Sequence, residues 1–276
     1  MLVSVSTGVY YQKSYKEILD VLKEAGTKYI ELFFNDAFYN IDMETILNAT
    51  FERDIKITSV HTPLPAIADK TGMSEHIWMK KAQILAEKAG AEVVVTHILS
   101  QKKKGQMYSL DEEHKKNIID FNRMDSNIYF TTENHSYLRC PSFAQNPEKL
   151  LEFLEETDTY LTFDTTHYAP TGDIIDGFLK FKKYIKNIHL SDYDFKNQRD
   201  HQPILEGDLP IERFIEILKE NNYQGCLTLE YDFDSSKRCT HNSVEDQIYI
   251  LRRNLEWLEK NWGSYGNNTR KNRKKF

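Results

Sequence analysis

Cysteine is scarce in this sequence. Its 276 residues include three cysteines, Cys140, Cys226 and Cys239, and no two of them form a CxxC pair. One thiol would stay unpaired in any disulfide scheme, whereas disulfide scaffolds and thiolate metal centres use more cysteines at closer spacing. The sequence therefore disfavours both classes and predicts a protein of the reducing cytoplasm.

Long apolar runs are also missing. The first residues, MLVSVSTGVYY, become polar within a few positions and lack a basic segment followed by an apolar one, which disfavours a secretory signal. No stretch approaches the roughly 18 consecutive apolar residues of a membrane-spanning helix. We therefore expect no membrane partner.

The chain has no excess of positive charge. Its 36 lysines and arginines stand against 42 aspartates and glutamates, which gives a formal net charge of −6. A general electrostatic attraction to nucleic acid is therefore absent, which disfavours this partner without excluding it, since a local groove can still be basic. The basic run 270–275 lies in a segment, 263–276, that we predict to be a disordered tail.

A glycine-rich phosphate-binding turn is absent after the first predicted strand. Residues 6–10 (STGVY) contain a single glycine, whereas a dinucleotide-binding open sheet carries G-x-G-x-x-G at this place. This difference disfavours the open, doubly wound sheet.

What the sequence does contain is a repeated alternation of strand and helix patterns. Short runs rich in β-branched and aromatic residues predict strands, and stretches with a helical period, such as 14–26, 74–90, 146–156 and 243–261, lie between or after them. The eight predicted strands span 2–6, 29–34, 56–61, 92–98, 127–133, 159–164, 185–190 and 225–231.

Eight strand-then-helix units favour a closed parallel barrel. Several strands are apolar on both faces, as expected for a parallel sheet covered by helices. A (β/α)₈ barrel of about 250 residues routinely forms one domain. We predict a single-domain α/β protein, a (β/α)₈ TIM barrel over residues 1–262. The longest loops, near 99–110 and 191–208, follow strands and would line the face where active sites lie.

Residue types that bind metals stand at or near the end of six predicted strands. A parallel barrel aims these strand ends at one face, so residues far apart in sequence would meet there. They are His61, His97, Glu133, Asp164, His189 and Glu230, and two further histidines, His167 and His201, follow the last residues of strands.

A cluster of carboxylates at one face of a barrel requires a cation. Two or three carboxylates that point at one another repel and raise their own pKa values unless a positive charge neutralises them. Oxygen and imidazole ligands without thiolate suit Mn²⁺, Mg²⁺, Co²⁺ or Zn²⁺, and the residues leave the choice among these ions open. The sequence therefore predicts an enzyme that depends on a divalent metal.

Seven short motifs, in this order, resemble the xylose isomerase-like superfamily, which includes sugar and sugar-phosphate isomerases and epimerases and the endonuclease IV family. The likeness spans about residues 1–260, and the order and spacing of its motifs together are specific. The motifs are SVHTPL (59–64), VVVTHI (93–98), TTENH (131–135), FDTTH (163–167), NIHLSD (187–192), HQPILEGDL (201–209) and LTLEY (227–231).

The epimerases of this superfamily imply roles for the strand-end residues. By this resemblance, one metal is held by Glu133, Asp164, His189 and Glu230, and the two glutamates also move protons on either face of the substrate. The residues expected to contact substrate are His61, His97, His167, Arg199 and His201. The resemblance implies a metal-dependent sugar or sugar-phosphate isomerase or epimerase of carbohydrate metabolism, with a small sugar or sugar phosphate as its partner.

Three alternatives stay open. The nuclease members imply three zinc ions and an apurinic-site or other phosphodiester substrate, but Arg199 stands where that family carries an aspartate, and Asp200 follows it. A related lyase or dehydratase of polyols is the second alternative. The third is a barrel that has lost activity and persists as a binding protein. The residues leave the exact substrate and the oligomeric state open.

Overall fold

The computed structural model describes residues 2–103, 106–135, 141–234, 241 and 243–262. All strands except β5, β6, β10 and β11 form a closed parallel barrel, which confirms the predicted (β/α)₈ fold. In chain order the strands are β1 (Leu2–Ser6), β2 (Tyr29–Phe33), β3 (Lys56–His61), β4 (Val93–Thr96), β5 (Ser100–Lys103), β6 (Gln106–Ser109), β7 (Tyr129–Glu133), β8 (Tyr160–Asp164), β9 (Ile185–Leu190), β10 (Asp192–Asp194), β11 (Arg199–Gln202) and β12 (Cys226–Leu229). Around the barrel their order is β1-β12-β9-β8-β7-β4-β3-β2.

Helices cover the outside of the barrel, and local sequence explains several of their ends. Ser14 and Glu17 form a reciprocal capping box at the start of α1, the Asn146 side chain caps α6, and Gly90 ends α4 in the left-handed conformation. The helices are α1 (Tyr15–Glu24), α2 (Met43–Glu52), α3 (Pro65–Thr71), α4 (Glu75–Ala89), α5 (Asp111–Asn122), α6 (Pro147–Thr157), α7 (Thr165–Tyr168), α8 (Ile174–Phe181), α9 (Ile211–Glu220) and α10 (Val244–Trp262). In the part of the chain that the structure describes, no helix is long and apolar enough to cross a membrane.

The predicted strand ends differ from the observed ones by at most two residues. His97 and Glu230 each follow their strand by one residue, because β4 and β12 end earlier than predicted. Cys226 is buried and free, whereas Cys140 and Cys239 lie outside the described residues. The basic tail, 263–276, also lies outside them, so its separation from the barrel stays a prediction.

The two faces of the barrel wall differ in polarity. Outward side chains, such as Val5 and Leu32, pack with the helices in the hydrophobic core. Inward side chains are mostly polar and bond across the barrel: Ser4 Oγ lies 2.9 Å from Thr228 Oγ1, which also donates to Asn187 Oδ1 at 3.0 Å. The strands that carry these groups therefore lack the two apolar faces expected for several strands, because hydroxyl, amide and ionisable groups satisfy one another inside this barrel.

Each of the two long loops contains a small antiparallel hairpin that was not predicted. β5 pairs with β6, and β10 pairs with β11. Asp192 fixes the second hairpin, because its carboxylate accepts the backbone N–H groups of Tyr193, Gly207 and Leu209 at 2.8–3.0 Å. A Cβ at Gly207 would meet the Tyr193 carbonyl oxygen at 2.6 Å, so glycine allows this close approach of the loop to β10.

A buried polar network lies between α4, α5 and the outer face of β7. The Glu75 carboxylate accepts hydrogen bonds from His114 Nδ1 and Asn117 Nδ2, each at 2.7 Å. His114 Nε2 lies 2.9 Å from Thr132 Oγ1, and all four side chains belong to buried residues. Such groups are tolerated in a protein interior because they are hydrogen-bonded.

We expect Glu75→Gln to lower the free energy of unfolding by about 2 kcal/mol, because the new amide turns a donor toward His114 or Asn117 and leaves a buried donor without an acceptor. Urea unfolding followed by circular dichroism measures this change. Glu87→Gln, on the exposed side of the same helix, is the matched control and should change the value by less than about 0.5 kcal/mol. Equal losses in the two variants would contradict this prediction.

Candidate functional site

Four of the predicted metal-ligand residues meet at the carboxyl-terminal mouth of the barrel. Glu133 and Asp164 end β7 and β8, His189 is the penultimate residue of β9, and Glu230 follows β12. These strands are consecutive in the barrel, so the side chains are neighbours. One potential ligand atom of each lies within 4.8 Å of the others. We call these four residues the carboxylate cluster.

His189 lies at the centre of the carboxylate cluster. Its Nδ1 lies 2.8 Å from Glu230 Oε2, 3.0 Å from Glu133 Oε1 and 3.8 Å from Asp164 Oδ2. A single N–H cannot donate to all three carboxylates at once. The arrangement aims three carboxylates and one imidazole nitrogen at the same small space.

Asp164 is held in place by the ends of the neighbouring elements. Its backbone N–H donates to Asn134 Oδ1 at 2.8 Å, and its carbonyl accepts from Asn134 Nδ2 at 3.0 Å. This clamp ties the ends of β7 and β8 together. The Asp164 Oδ1 accepts the His167 backbone N–H and the Thr166 hydroxyl at the start of α7. The buried Oδ2 accepts no hydrogen bond from the described residues and faces the carboxylate cluster.

Burial and neighbouring charges set the pKa values in the carboxylate cluster. Burial alone would raise the pKa values of Glu133 and Glu230, but His189 holds the first well below its ordinary value and the second at about 2. Burial alone would lower the pKa of His189, but the surrounding carboxylates raise it well above 6.5. Burial raises the pKa of Asp164. The two glutamates are therefore anionic near neutral pH, and the imidazole is cationic.

The carboxylate cluster fits a divalent cation. Three carboxylates and one imidazole form a donor set that suits Mn²⁺, Mg²⁺, Co²⁺ or Zn²⁺. The unbonded Asp164 Oδ2 is a buried acceptor of the kind that a cation satisfies. A cation could also take over the neutralising role of the imidazolium, because a histidine ligand binds metal in its neutral form.

His61 lies beside the carboxylate cluster, as the sequence predicts. Its Nε2 lies 3.2 Å from Glu133 Oε2, and its Nδ1 donates to the Thr62 carbonyl oxygen at 2.6 Å. Phe33 packs against the ring, with centroids 4.5 Å apart. Burial alone would lower the pKa of His61, but the contact with Glu133 raises it. Glu133 therefore has an imidazole at each of its two carboxylate oxygens.

A pair of buried histidines stands next to Glu133. The ring centroids of His97 and His135 lie 3.8 Å apart, and His97 Nδ1 and His135 Nε2 have no hydrogen-bond partner among the described residues. Burial lowers the pKa of His97 to about 3 and, together with the neighbouring His97, holds that of His135 well below 6.5. Both rings are therefore neutral. His135 ends the TTENH motif, but no role was predicted for it from the sequence.

His167 and His201 lie on the other side of the carboxylate cluster. Their rings meet edge to face with centroids 5.1 Å apart. His167 Nδ1 lies 3.0 Å from the Asn134 carbonyl oxygen, and His201 Nδ1 lies 3.2 Å from that of Glu230. His201 has a φ of 51°, a strained value for a residue with a side chain. One ring nitrogen of His201 lies within 4.8 Å of potential ligand atoms of Asp164 and His167.

Arg199 lies in β11, in the hairpin that follows the His189 strand. Its Nε and Nη2 donate to Asp194 Oδ2 at 3.1 and 2.5 Å, an ion pair that ties β10 to β11. The Arg199 guanidinium therefore forms its ion pair within the hairpin, with Asp194. The predicted contact of Arg199 with substrate stays a prediction.

Glu31 is a residue of this site that the sequence analysis missed. It lies in β2, is 0% exposed, and its Oε2 accepts hydrogen bonds from Ser59 Oγ at 2.8 Å and Asn187 Nδ2 at 3.0 Å. Its Oε1 lies 3.0 Å from His189 Nε2. One signal was present in the sequence, because Glu31 is the single charged residue in the otherwise apolar run YIELFF (29–34).

Sequence comparison identifies related proteins. A family model described as "Xylose isomerase-like TIM barrel" matches residues 19–261. The inosose dehydratase of Clostridium perfringens (strain 13 / Type A) is 24% identical over 227 residues, which cover 71% of this chain and 76% of the dehydratase. The relationship therefore extends along most of both chains.

Solved structures share the fold. D-allulose 3-epimerase from Methylomonas sp. in complex with D-allulose matches with a TM-score of 0.69 and 16% identity, over 95% of this chain and 97% of the epimerase. The probable 3-DHS dehydratase from Bacillus anthracis matches with a TM-score of 0.60 and 19% identity, over 94% of this chain and 98% of the dehydratase. At these identities the likeness shows the barrel architecture. Because the family match covers far more than half of the sequence, this chain belongs to the xylose isomerase-like TIM barrel family.

Proposed function

We propose that this protein is a divalent-metal-dependent isomerase or epimerase of a small sugar or sugar phosphate. The observation that carries the proposal is the pair of glutamates, Glu133 and Glu230, on either side of Asp164 and His189. Moving a proton next to a carbonyl requires a base within reach and a positive centre that stabilises the developing negative charge. The structural likeness to D-allulose 3-epimerase supports a ketose as the substrate.

In this proposal, the carboxylate cluster holds the metal through Glu133, Asp164, His189 and Glu230. When bound, a divalent ion polarises neighbouring hydroxyl and carbonyl groups and thereby acidifies the C–H bond between them. Carboxylate and imidazole ligands are compatible with Mn²⁺, Mg²⁺, Co²⁺ and Zn²⁺. The chain supplies the orientation, because the Asn134 clamp and the start of α7 hold Asp164 in place.

Glu133 and Glu230 would exchange protons with the substrate carbon. Glu133 ends the first strand of the set β7-β8-β9-β12 and Glu230 follows the last, so they reach the mouth of the barrel from two sides. Both are anionic, and each can accept a proton from the carbon on its own side. Epimerisation inverts a carbon centre, so one carboxylate removes the proton from one face and the other returns a proton to the opposite face.

The surrounding polar side chains would orient the substrate. Neutral imidazoles such as His97 can accept a hydrogen bond from a sugar hydroxyl. Arg199 has guanidinium N–H groups beyond the two bound to Asp194, so it can keep its hairpin contact and still donate to a substrate oxygen. The predicted substrate contacts remain His61, His97, His167, Arg199 and His201.

A dehydratase of a keto-polyol is the second candidate, favoured by the similarity to inosose dehydratase. This reaction begins with the same proton removal next to a carbonyl, after which a hydroxyl group leaves the adjacent carbon as water. The leaving group needs an acid. Burial alone would lower the pKa of His167, but Asp164 raises it, so this imidazole beside the carboxylate cluster holds a proton more readily than a free imidazole does. The zinc phosphodiesterase alternative is not favoured, because the relatives described above are epimerases and dehydratases.

Incubation in D₂O tests the proposal and separates its two candidates. Mn²⁺-loaded protein is incubated with a panel of ketoses, their phosphates and inosose, and the products are followed by NMR and mass spectrometry. We expect solvent deuterium at the carbon next to the carbonyl, in a product with the same number of oxygens as the substrate. A product that has lost water would indicate the dehydratase instead. No deuterium incorporation into any member of the panel would count against both.

A further inference from the structure

Glu31 lies inside the barrel, below the carboxylate cluster. The β2–β3 register places it beside Ser59, two residues before His61, and a register shift in β3 brings Ser59 into this position. Glu31 is completely buried. A buried carboxylate is costly unless it is paired and hydrogen-bonded, so its presence here requires a physical reason.

The two carboxylate oxygens of Glu31 have different surroundings. Ser59 on β3 and Asn187 on β9 donate to Oε2, which fixes the carboxylate from two separate parts of the inner barrel wall. Oε1 is directed at His189 and lies 3.0 Å from its Nε2. The contact is close but is not an aligned hydrogen bond, so its effect on the imidazole is mainly electrostatic.

The His189 ring is fixed between Glu31 and the carboxylate cluster. Nε2 faces Glu31, whereas Nδ1 faces Glu133 and Glu230. The ring also stacks on His61, with an interplanar angle of 21° and centroids 5.6 Å apart. Because the packing fixes the ring, the remaining freedom of a neutral His189 is the choice of the nitrogen that carries its proton.

We propose that Glu31 is a positioning residue whose negative charge keeps the proton of neutral His189 on Nε2, so that the lone pair of Nδ1 faces the metal. The inference rests on the metal site of the proposed function and deepens it. A histidine that binds a metal commonly directs its other ring nitrogen at a carboxylate or a carbonyl, which selects the tautomer and orients the ring. Glu31 has the position and charge for this role, and Ser59 and Asn187 hold it there.

Glu31→Gln is the test variant because it preserves size while it removes the charge. The glutamine carbonyl can still accept from Ser59 and Asn187, but the new amide N–H₂ faces His189 Nε2. It favours the tautomer with the proton on Nδ1, which blocks the metal-facing nitrogen. We expect Mn²⁺ to bind 10- to 100-fold more weakly, which isothermal titration calorimetry measures as a larger dissociation constant. We also expect altered visible absorption bands of the Co²⁺-loaded protein, which report on the ligand geometry.

Two further variants keep the test independent of folding. Ser59→Ala removes one hydrogen bond to Glu31 but keeps its charge, and we expect Mn²⁺ binding to weaken by less than about fivefold. Glu75→Gln is the matched control, since Glu75 is an equally buried glutamate whose hydrogen-bond partners lie outside the carboxylate cluster. We expect it to keep Mn²⁺ affinity within about twofold of wild type. Circular dichroism confirms that each variant is folded.

The outcomes distinguish this inference from the proposed function. Wild-type Mn²⁺ affinity in folded Glu31→Gln would overturn the positioning role, and so would an equal loss of affinity in Glu75→Gln. A wild-type protein that binds no Mn²⁺ would overturn the inference together with the metal site. Mn²⁺ binding that depends on Glu31, without turnover of any ketose or inosose, would overturn the proposed function and leave the inference standing.

Discussion

Glu133→Gln is expected to lower kcat for sugar interconversion by about three orders of magnitude. An amide cannot accept a proton, and positioned general acid–base groups contribute about 10²- to 10⁴-fold to catalysis. Glu133 is available to accept a proton, because two imidazoles contact its carboxylate and hold it anionic. Steady-state kinetics on the identified ketose measures the effect, and elemental analysis of the same sample gives its metal content.

The matching variant, Glu230→Gln, is expected to lower kcat for interconversion to a similar extent. It should differ from Glu133→Gln in which of the two epimers still exchanges its proton with D₂O. If Glu133 and Glu230 act on opposite faces, each variant keeps one base. Each should therefore still exchange the proton of one epimer with D₂O while it fails to exchange that of the other. Proton NMR of the two epimers, incubated separately with each variant, shows which face each glutamate serves.

An exposed glutamate provides the control for these two variants. Glu212→Gln, on the surface of α9, makes the same chemical change outside the barrel mouth and should leave kcat within about twofold. Activity within tenfold of wild type in Glu133→Gln, at full metal occupancy, would remove that residue from proton transfer. Identical exchange patterns in both glutamine variants would show that the two carboxylates do not divide the faces between them.

The strand-end residues could be predicted because a parallel barrel places the carboxyl ends of all its strands at the same face. Glu133, Asp164, His189 and Glu230 occur on four different strands, and closure of the barrel brings any such set to one mouth. Sequence spacing was sufficient for this step, even though five of the predicted strands were one or two residues too long at one or both ends. The conclusion depended on which strands are present and on their direction.

The supporting residues could not be predicted in the same way, because they depend on register. Glu31 contacts Ser59 because a register shift in the β2–β3 pairing places the two residues side by side, and it contacts Asn187 on β9, a strand with which β2 does not pair. A sequence reveals the alternation of a strand but not which residues face each other across a closed sheet. His135 was missed for a related reason, since its partner His97 lies on another strand end.

The polar barrel interior also connects the fold to the chemistry. Hydroxyl and amide groups such as Ser4, Thr228 and Asn187 form a hydrogen-bonded layer next to Glu31. An apolar interior would leave the Glu31 carboxylate without hydrogen bonds and raise the cost of burying its charge. The unexpected polarity of the inner strand faces therefore provides the surroundings that a buried carboxylate next to His189 needs.

Removal of the metal is expected to abolish turnover, with a loss of at least about a thousandfold that Mn²⁺, Mg²⁺, Co²⁺ or Zn²⁺ reverses on addition. The positive centre that the proposed proton transfer requires is then missing. Stability should fall too, because a metal at 100 times its dissociation constant stabilises the folded state by about 2.7 kcal/mol. After dialysis against EDTA, elemental analysis measures the metal content, kinetics measures the turnover, and thermal unfolding measures the stability.

The pH dependence of metal binding follows from His189. Its pKa is raised well above 6.5 by the surrounding carboxylates, so the imidazolium must lose a proton before Nδ1 can bind an ion. Metal affinity should therefore fall as the pH is lowered, by about tenfold per pH unit below that pKa if one proton is displaced. Mn²⁺ titrations at several pH values, in buffers of different ionisation enthalpy, count the protons released.

Full turnover by protein that retains no metal after dialysis would refute the metal's role and leave proton transfer to the glutamates and histidines alone.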